Sequence, residues 1–223
     1  GNGQLVPIAM AHAPIEDKDS WRWFLGLLSR ALSLEGRDVV LMSDREKGLM
    51  GVVDEVRPSA FHSYCVRHII KNFTRRFKVN LAKVIWSAAK THSKKRFKHF
   101  MGVVESVSVQ GHAYLAEIPK ERWANASFPT QRHGHITSNV AESCNAMMRE
   151  VRGLLPFNAL TEFLKKDSGI FTTRLGEHMA STSALPRKVI SKIKASNDVS
   201  STLTVRRVRE TVFMVSRINS TEK

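Results

Sequence analysis

Cysteine is scarce in this 223-residue chain. There are two, Cys65 and Cys144, too few for a disulfide framework, so a reducing compartment is the default expectation. Long apolar runs are also lacking. No stretch of about 18 uninterrupted apolar residues occurs, and the N-terminus carries no sequence of charged, apolar and small regions, so neither membrane insertion nor secretion is expected. There is no Gly-rich phosphate loop, and Cys144 has no base beside it in sequence, which sets aside P-loop and thiol-nucleophile chemistry. Acidic residues are the scarcest class relative to their opposites, with 20 Asp+Glu against 35 Lys+Arg and a formal net charge of +15. A charge of that size favours a polyanionic partner.

What is present is enough for a folded chain. Hydrophobic residues make up 42% and charged residues 25%, which suits a globular core of one or two domains rather than wholesale disorder. The positive charge is uneven. Residues 1–60 hold seven Lys/Arg and nine Asp/Glu, whereas 61–223 hold 28 and 11. The basic part carries its cations in runs, at Lys71–Lys83, Lys90–Lys98 and Arg206–Arg209. A solvated face is the ordinary reading of such runs, and a nucleic-acid footprint the more specific one.

Periodicity orders the elements. Residues 4–12 are apolar and follow Gly1-Asn2-Gly3, a hairpin-turn signal, so the segment is expected to be a strand in a sheet whose preceding strand is missing. Asp17 or Asp19 can cap a helix over about 20–34, with Trp21, Phe24, Leu25 and Leu28 on one face and Gly36 as its stop. A strand over 39–42, a helix over 47–56 ended by Pro58, a strand over 60–64 and a basic helix over 66–77 follow. This alternation predicts an α/β fold. From 79 to about 123 the spacing is helical throughout, predicting an all-α insertion. Residues 124–137 read as a connection, and helices are expected over 138–151, 158–179 and 187–195. Two strands close the chain, over 202–208 and 211–216.

Few side chains carry chemistry. Asp44 follows an apolar strand directly, where α/β folds place ligand and metal carboxylates, although it could equally cap the next helix. Glu142 lies one turn into the helix expected from Ser138, and could simply stabilise that positive end. Cys65 and His68 form a Cys-x-x-His pair at a strand-to-helix junction, with His62, His133 and His135 elsewhere. That is half of the four ligands a closed zinc site needs, and a buried thiol with an unrelated histidine is the competing reading. The nucleic-acid candidates are Arg67, Lys71, Arg75, Arg76, Lys94, Lys95 and Arg96.

Several blocks in order carry a resemblance: Leu5-Val-Pro-Ile-Ala9, Ser20-Trp-Arg-Trp-Phe-Leu25, Met42-Ser-Asp-Arg-Glu-Lys-Gly-Leu49, His62-Ser-Tyr-Cys-Val-Arg-His68, Asn72-Phe73, Tyr114-Leu115, Trp123-Ala124 and Thr137-Ser-Asn-Val-Ala-Glu-Ser-Cys-Asn145. Over about residues 4–150 the chain resembles the transposase core of plant Mutator-like elements. The resemblance implies an RNase H-like fold with a helical insertion before the last acid, in which Asp, Asp and Glu hold two divalent ions, Mg2+ or Mn2+, that cut and join DNA. It matches Asp44 to the second catalytic Asp, Glu142 to the Glu, and Cys65 with His68 to the family's Cys/His signature, with Zn2+ as a possible ligand. The first Asp would lie on a strand before Gly1, and the C-terminal zinc-binding SWIM module would follow residue 216, so this chain alone is expected to be inactive. The organisation implied is a partial core over 1–64, the helical insertion over 65–130, a return to the core with Glu142 over 131–180, and a polar C-terminal segment over 181–223.

Three functions follow as expectations. The chain is a fragment or degenerate copy of a Mutator-like DNA transposase, a domesticated DNA-binding or transcription-regulating descendant, or a basic interaction module that forms a homo-oligomer through its helices. DNA as partner and residence in the nucleus accompany the first two.

Overall fold

The computed structural model describes residues 6–34, 38–45, 47–138, 146, 148–151 and 153–218. The chain forms two compact units, one over Ile8–Ala159 and the other mainly from Leu160 onward. It is mixed α/β and mostly helical.

In the first unit, α1 (Lys18–Ala31) starts where Asp17 accepts the Ser20 backbone N–H at 2.8 Å. That bond to Ser20 holds the Asp17 carboxyl below its ordinary pKa. Strand β1 (Val40–Ser43), helix α2 (Lys47–Val56) and strand β2 (Phe61–Tyr64) form a strand–helix–strand crossover, and the two strands pair in parallel with Val40 opposite Phe61 and Ser43 opposite Tyr64. Helices α1 and α2 bury Leu25, Leu49, Val52 and Val53 together, with Trp21, Phe24, Leu28 and Leu41 packed around them. The faces read from the sequence spacing are the faces buried. Arg57, itself buried, donates to Ser29 Oγ at 3.1 Å and to the Leu34 carbonyl at 2.7 Å, tying the end of α1 to the end of α2.

Helices α3 (Val66–Phe77), α4 (Ala82–Lys90), α5 (Lys94–Val107) and α6 (Val109–Ala116) then follow, in line with the expected helical block. Their caps are local. Lys78 ends α3 in the left-handed region at φ 57°, Ser93 accepts from Arg96 N, and Ser108 accepts from Gly111 N at 3.0 Å. Their core holds Ile69, Phe73, Ile85, Val104, Leu115 and Trp123, with the Trp123 indole N–H directed at the Ile118 carbonyl. Gly111 lets α6 meet α3 closely. A Cβ there would lie 2.7 Å from Phe73 Cε2, and Phe73 is fully buried.

One expectation needs correction. Residues 6–12 form no strand, and Val6 and Ile8 are exposed. A strand exists through its hydrogen-bonded ladder, Pro7 brings no donor to one, and among the described residues the parallel sheet contains β1 and β2 alone. The helix expected over 138–151 falls mostly outside the described residues, as does Gly36, and 148–151 are turns. The four-stranded or larger sheet of an RNase H-like core is accordingly not among the described elements.

The second unit holds α7 (Pro156–Met179) from Leu160 onward, then α8 (Arg187–Ser200) and an antiparallel hairpin of β3 (Leu203–Arg209) and β4 (Val212–Arg217). Helix α8 runs five residues beyond its expected end, because Ser191, Asn197 and Ser200 are tolerated on an exposed helix whose hydroxyls bond back to its own carbonyls. Every hairpin residue except Leu203 is exposed. No helix among the described residues is long and apolar enough to cross a membrane.

Candidate functional site

The site is built at the C-terminal edge of the parallel strand pair. Asp44 leaves β1 directly after Ser43 and is partly buried, as its place after an apolar strand predicts. The position is fixed by hydrogen bonds from both sides. Ser43 Oγ donates to the Asp44 carbonyl at 2.7 Å and lies 2.7 Å from His62 Nε2. Since the hydroxyl has one proton and the Asp44 carbonyl takes it, His62 must donate, which assigns the ring proton to Nε2. His62 is buried, stands edge-on to Tyr64 at 5.0 Å, and has no partner at Nδ1 among the described residues. Burial first, and the Arg122 guanidinium second, push its pKa down to about 4, against a weaker opposite pull from Asp54. The imidazole is therefore neutral at pH 7.

Cys65 follows β2 and opens α3. Its N–H donates to the Ser43 carbonyl at 2.8 Å, and its buried Sγ accepts the Ser138 N–H at 3.2 Å. Val66 N–H donates to the Ile136 carbonyl at 3.0 Å beside it. Two hydrogen bonds thus run from the residue before Asp44, through Cys65, to the first residues of the Thr137–Asn145 block. Glu142 and Cys144 lie outside the described residues. His68 sits in the first turn of α3, partly buried. Among the described residues no three His, Cys, Asp or Glu side chains gather into a group able to hold a metal ion. The thiol acts in this structure as a hydrogen-bond acceptor that docks a chain segment.

The predicted cations are all exposed: Arg67, Lys71, Arg75 and Arg76 along α3, and Lys94, Lys95 and Arg96 in the first turn of α5. The two sets differ electrostatically. Arg75 and Arg76 lie in the last turn of α3, where the helix dipole favours positive charge, and Arg76 stacks on the Phe77 ring at 5.4 Å. Lys94, Lys95 and Arg96 occupy a positive helix end with no acid in that turn, an arrangement the dipole opposes.

Sequence reasoning missed Ser43 and the role of His62, and it missed Arg132. Arg132 is buried without a carboxylate among the described residues, donating to Ser63 Oγ at 3.1 Å, to the Trp123 carbonyl at 3.0 Å and to Asn125 Oδ1, with Phe128 under its guanidinium at 4.7 Å. Burial lowers its pKa to about 10. It fastens the 124–137 connection to β2. Nothing in a loop sequence marks such an arginine, whereas His62 could have been suspected from its place in a strand covered on both faces.

No curated protein matches the chain. Its first third does have a family counterpart: residues 1–72, which hold α1, the parallel strand pair, Asp44, Cys65 and His68, match the family model of the MULE transposase domain.

Proposed function

We propose that the chain is part of a Mutator-like DNA transposase, a fragment or degenerate copy whose ancestral activity is metal-dependent cleavage and strand transfer, and that what this polypeptide itself does is bind DNA. The observation that carries the reading is the agreement between the MULE match over residues 1–72 and the position of Asp44 at the C-terminal edge of a parallel strand pair. The hydrogen bond from Ser138 to Cys65 adds to it, since it docks the chain four residues before Glu142 beside the strand that precedes Asp44. Asp44 and Glu142 are the residues that would hold Mg2+ or Mn2+, because carboxylate oxygens suit hard divalent ions. Such ions, when bound, activate a water or a DNA 3′-hydroxyl and stabilise the leaving oxygen.

DNA is the partner best suited to the charge. The exposed cations of α3 and α5, including three held at a helix end that disfavours them, fit phosphate neutralisation better than solubility alone. A nuclear residence follows from that partner. The test is titration of the full chain with labelled duplex DNA across salt. With six or more phosphates neutralised, affinity falls by roughly three orders of magnitude or more between 50 and 200 mM salt. Absent or salt-insensitive binding sinks the reading. Mn2+ titration, compared with Asp44→Asn and Glu142→Gln, examines the acids separately.

A further inference from the structure

Three elements converge on one aromatic ring, that of Tyr114. Arg45, the next residue after it, donates Nη1–H to the Tyr114 hydroxyl of α6 at 3.1 Å, with its guanidinium carbon 5.8 Å from the ring centroid. Arg76, from the last turn of α3, brings its guanidinium to 5.5 Å from the same centroid. The ring is held in place by Phe77 at 5.6 Å and Phe73 at 6.5 Å. Neither cation has a carboxylate partner among the described residues. The dipole of α3 accounts for Arg76 but not for Arg45. In addition, Arg45 Nε is buried with no acceptor among the described residues. The Tyr114 hydroxyl accepts from Arg45, which leaves its own proton uncommitted among the described residues. Two forked guanidinium groups and a hydroxyl donor gathered around one ring make a set of donors suited to an anion.

We propose that Arg45, Arg76 and Tyr114 form a phosphate clamp that seats a DNA backbone phosphate next to Asp44. Planar guanidinium forks match phosphate oxygens in pairs, and Arg45 is the residue that follows Asp44 in the chain, so a phosphate it holds lies on the segment that leaves β1 with the acid. The inference rests on the DNA-binding reading above and adds the residues that would set the register of the strand on the site.

The experiment is binding of a fluorescently labelled duplex to the full chain across 50–200 mM salt, for the wild type, Arg45→Lys, Arg76→Ala, Tyr114→Phe and Lys120→Ala. Lys120, an exposed cation on the 3-10 turn, serves as the charge-loss control. The clamp predicts that Arg45→Lys weakens binding about tenfold although the charge is kept, and that Arg76→Ala lowers the salt slope by about 1. It also predicts about threefold loss in Tyr114→Phe, with Lys120→Ala close to wild type. Tyr114→Phe preserves the ring and its packing on Phe73 and Phe77, so it remains decisive should Arg45→Lys fold poorly by circular dichroism. Wild-type binding with a steep salt slope that all three clamp variants share refutes the clamp and leaves the DNA reading standing. Failure of the wild type to bind duplex removes both.

Discussion

Acidification should unfold the first unit earlier than its carboxylates alone require, because His62 is buried in the neutral form. Its pKa falls from 6.5 to about 4 on folding, with desolvation the main cause. Above pH 6.5 neither state binds the proton, and the histidine costs nothing. Between about pH 6.5 and 4 the unfolded chain binds a proton that the folded chain refuses, so stability rises with pH through that window and falls by up to about 1.4 kcal/mol per unit on acidification. The whole window amounts to about 3 kcal/mol. Below pH 4 the term is exhausted. Glu55, held below its ordinary pKa by Arg22, and Asp17, held low by Ser20, also lose stability on acidification, but they do so nearer their unfolded values of 4.5 and 3.8. A difference measurement removes them. Urea unfolding at pH 7.5, 5.5 and 4.5 would be compared between the wild type and His62→Gln, which keeps an amide donor for Ser43 but cannot be charged. The variant is expected to be the less stable of the two at pH 7.5, and the gap to close or reverse by about 2–3 kcal/mol at pH 4.5. A gap that stays constant with pH would refute the assignment of a buried neutral imidazole.

Gly111→Ala places a methyl 2.7 Å from a ring that is fully buried. Overpacking outweighs the gain of up to about 1 kcal/mol in helix propensity, leaving a loss of about 2 kcal/mol, read as a melting point lowered by about 4–8 °C; an unchanged or raised value contradicts the close packing of α3 on α6. Arg132→Lys cannot reach Ser63, the Trp123 carbonyl and Asn125 together, so the variant should lose about 2–4 kcal/mol in urea unfolding despite keeping its charge. Wild-type stability would mean that this network contributes nothing. By amide exchange, the β3–β4 hairpin, exposed at nearly every residue, should exchange far faster than the amides of α3 to α6. Comparable protection in the two would show that the hairpin is stabilised by more than its own ladder.

The helices were legible because their signals are local. The three- and four-residue spacing of Trp21, Phe24, Leu25 and Leu28, with Asp17 before it, gives both the burial face and the cap of α1, and the bounds of α2 and α3 agree with the sequence reading to the residue. Strand signals were less reliable. The apolar runs at 40–43 and 61–64 have each other, while the comparable run at 6–12 has no ladder among the described residues. Strand formation depends on a partner far away in sequence, so an apolar run is necessary without being sufficient. The same division holds at the site. Asp44 could be found from its place after a strand, because strand ends are local; the Ser43–His62 pair, the Arg45–Tyr114 pair and Arg132 depend on registers and crossings that no spacing records.

Cys65 and His68 show how one spacing can serve more than one role. Two residues between a cysteine and a histidine put both within one turn at the start of a helix, the geometry that makes such pairs look like metal ligands. In this fold the same start of a helix is also where backbone N–H groups and an incoming chain must be accommodated. The buried Sγ accepts the Ser138 N–H, the Cys65 N–H donates to the Ser43 carbonyl, and the Val66 N–H donates to the Ile136 carbonyl. The junction thereby joins residues 43, 65 and 138, which are widely separated in sequence and flank the two acids on which the functional reading depends. A sulfur acceptor suits this position because the space beside Val66 and Ile136 is apolar, and thiols bury there at less cost than a hydroxyl. Cys65 thereby has a structural task beside any part in holding an ion: its backbone and its sulfur tie residue 138, four before Glu142, to Ser43, the last residue of the strand before Asp44.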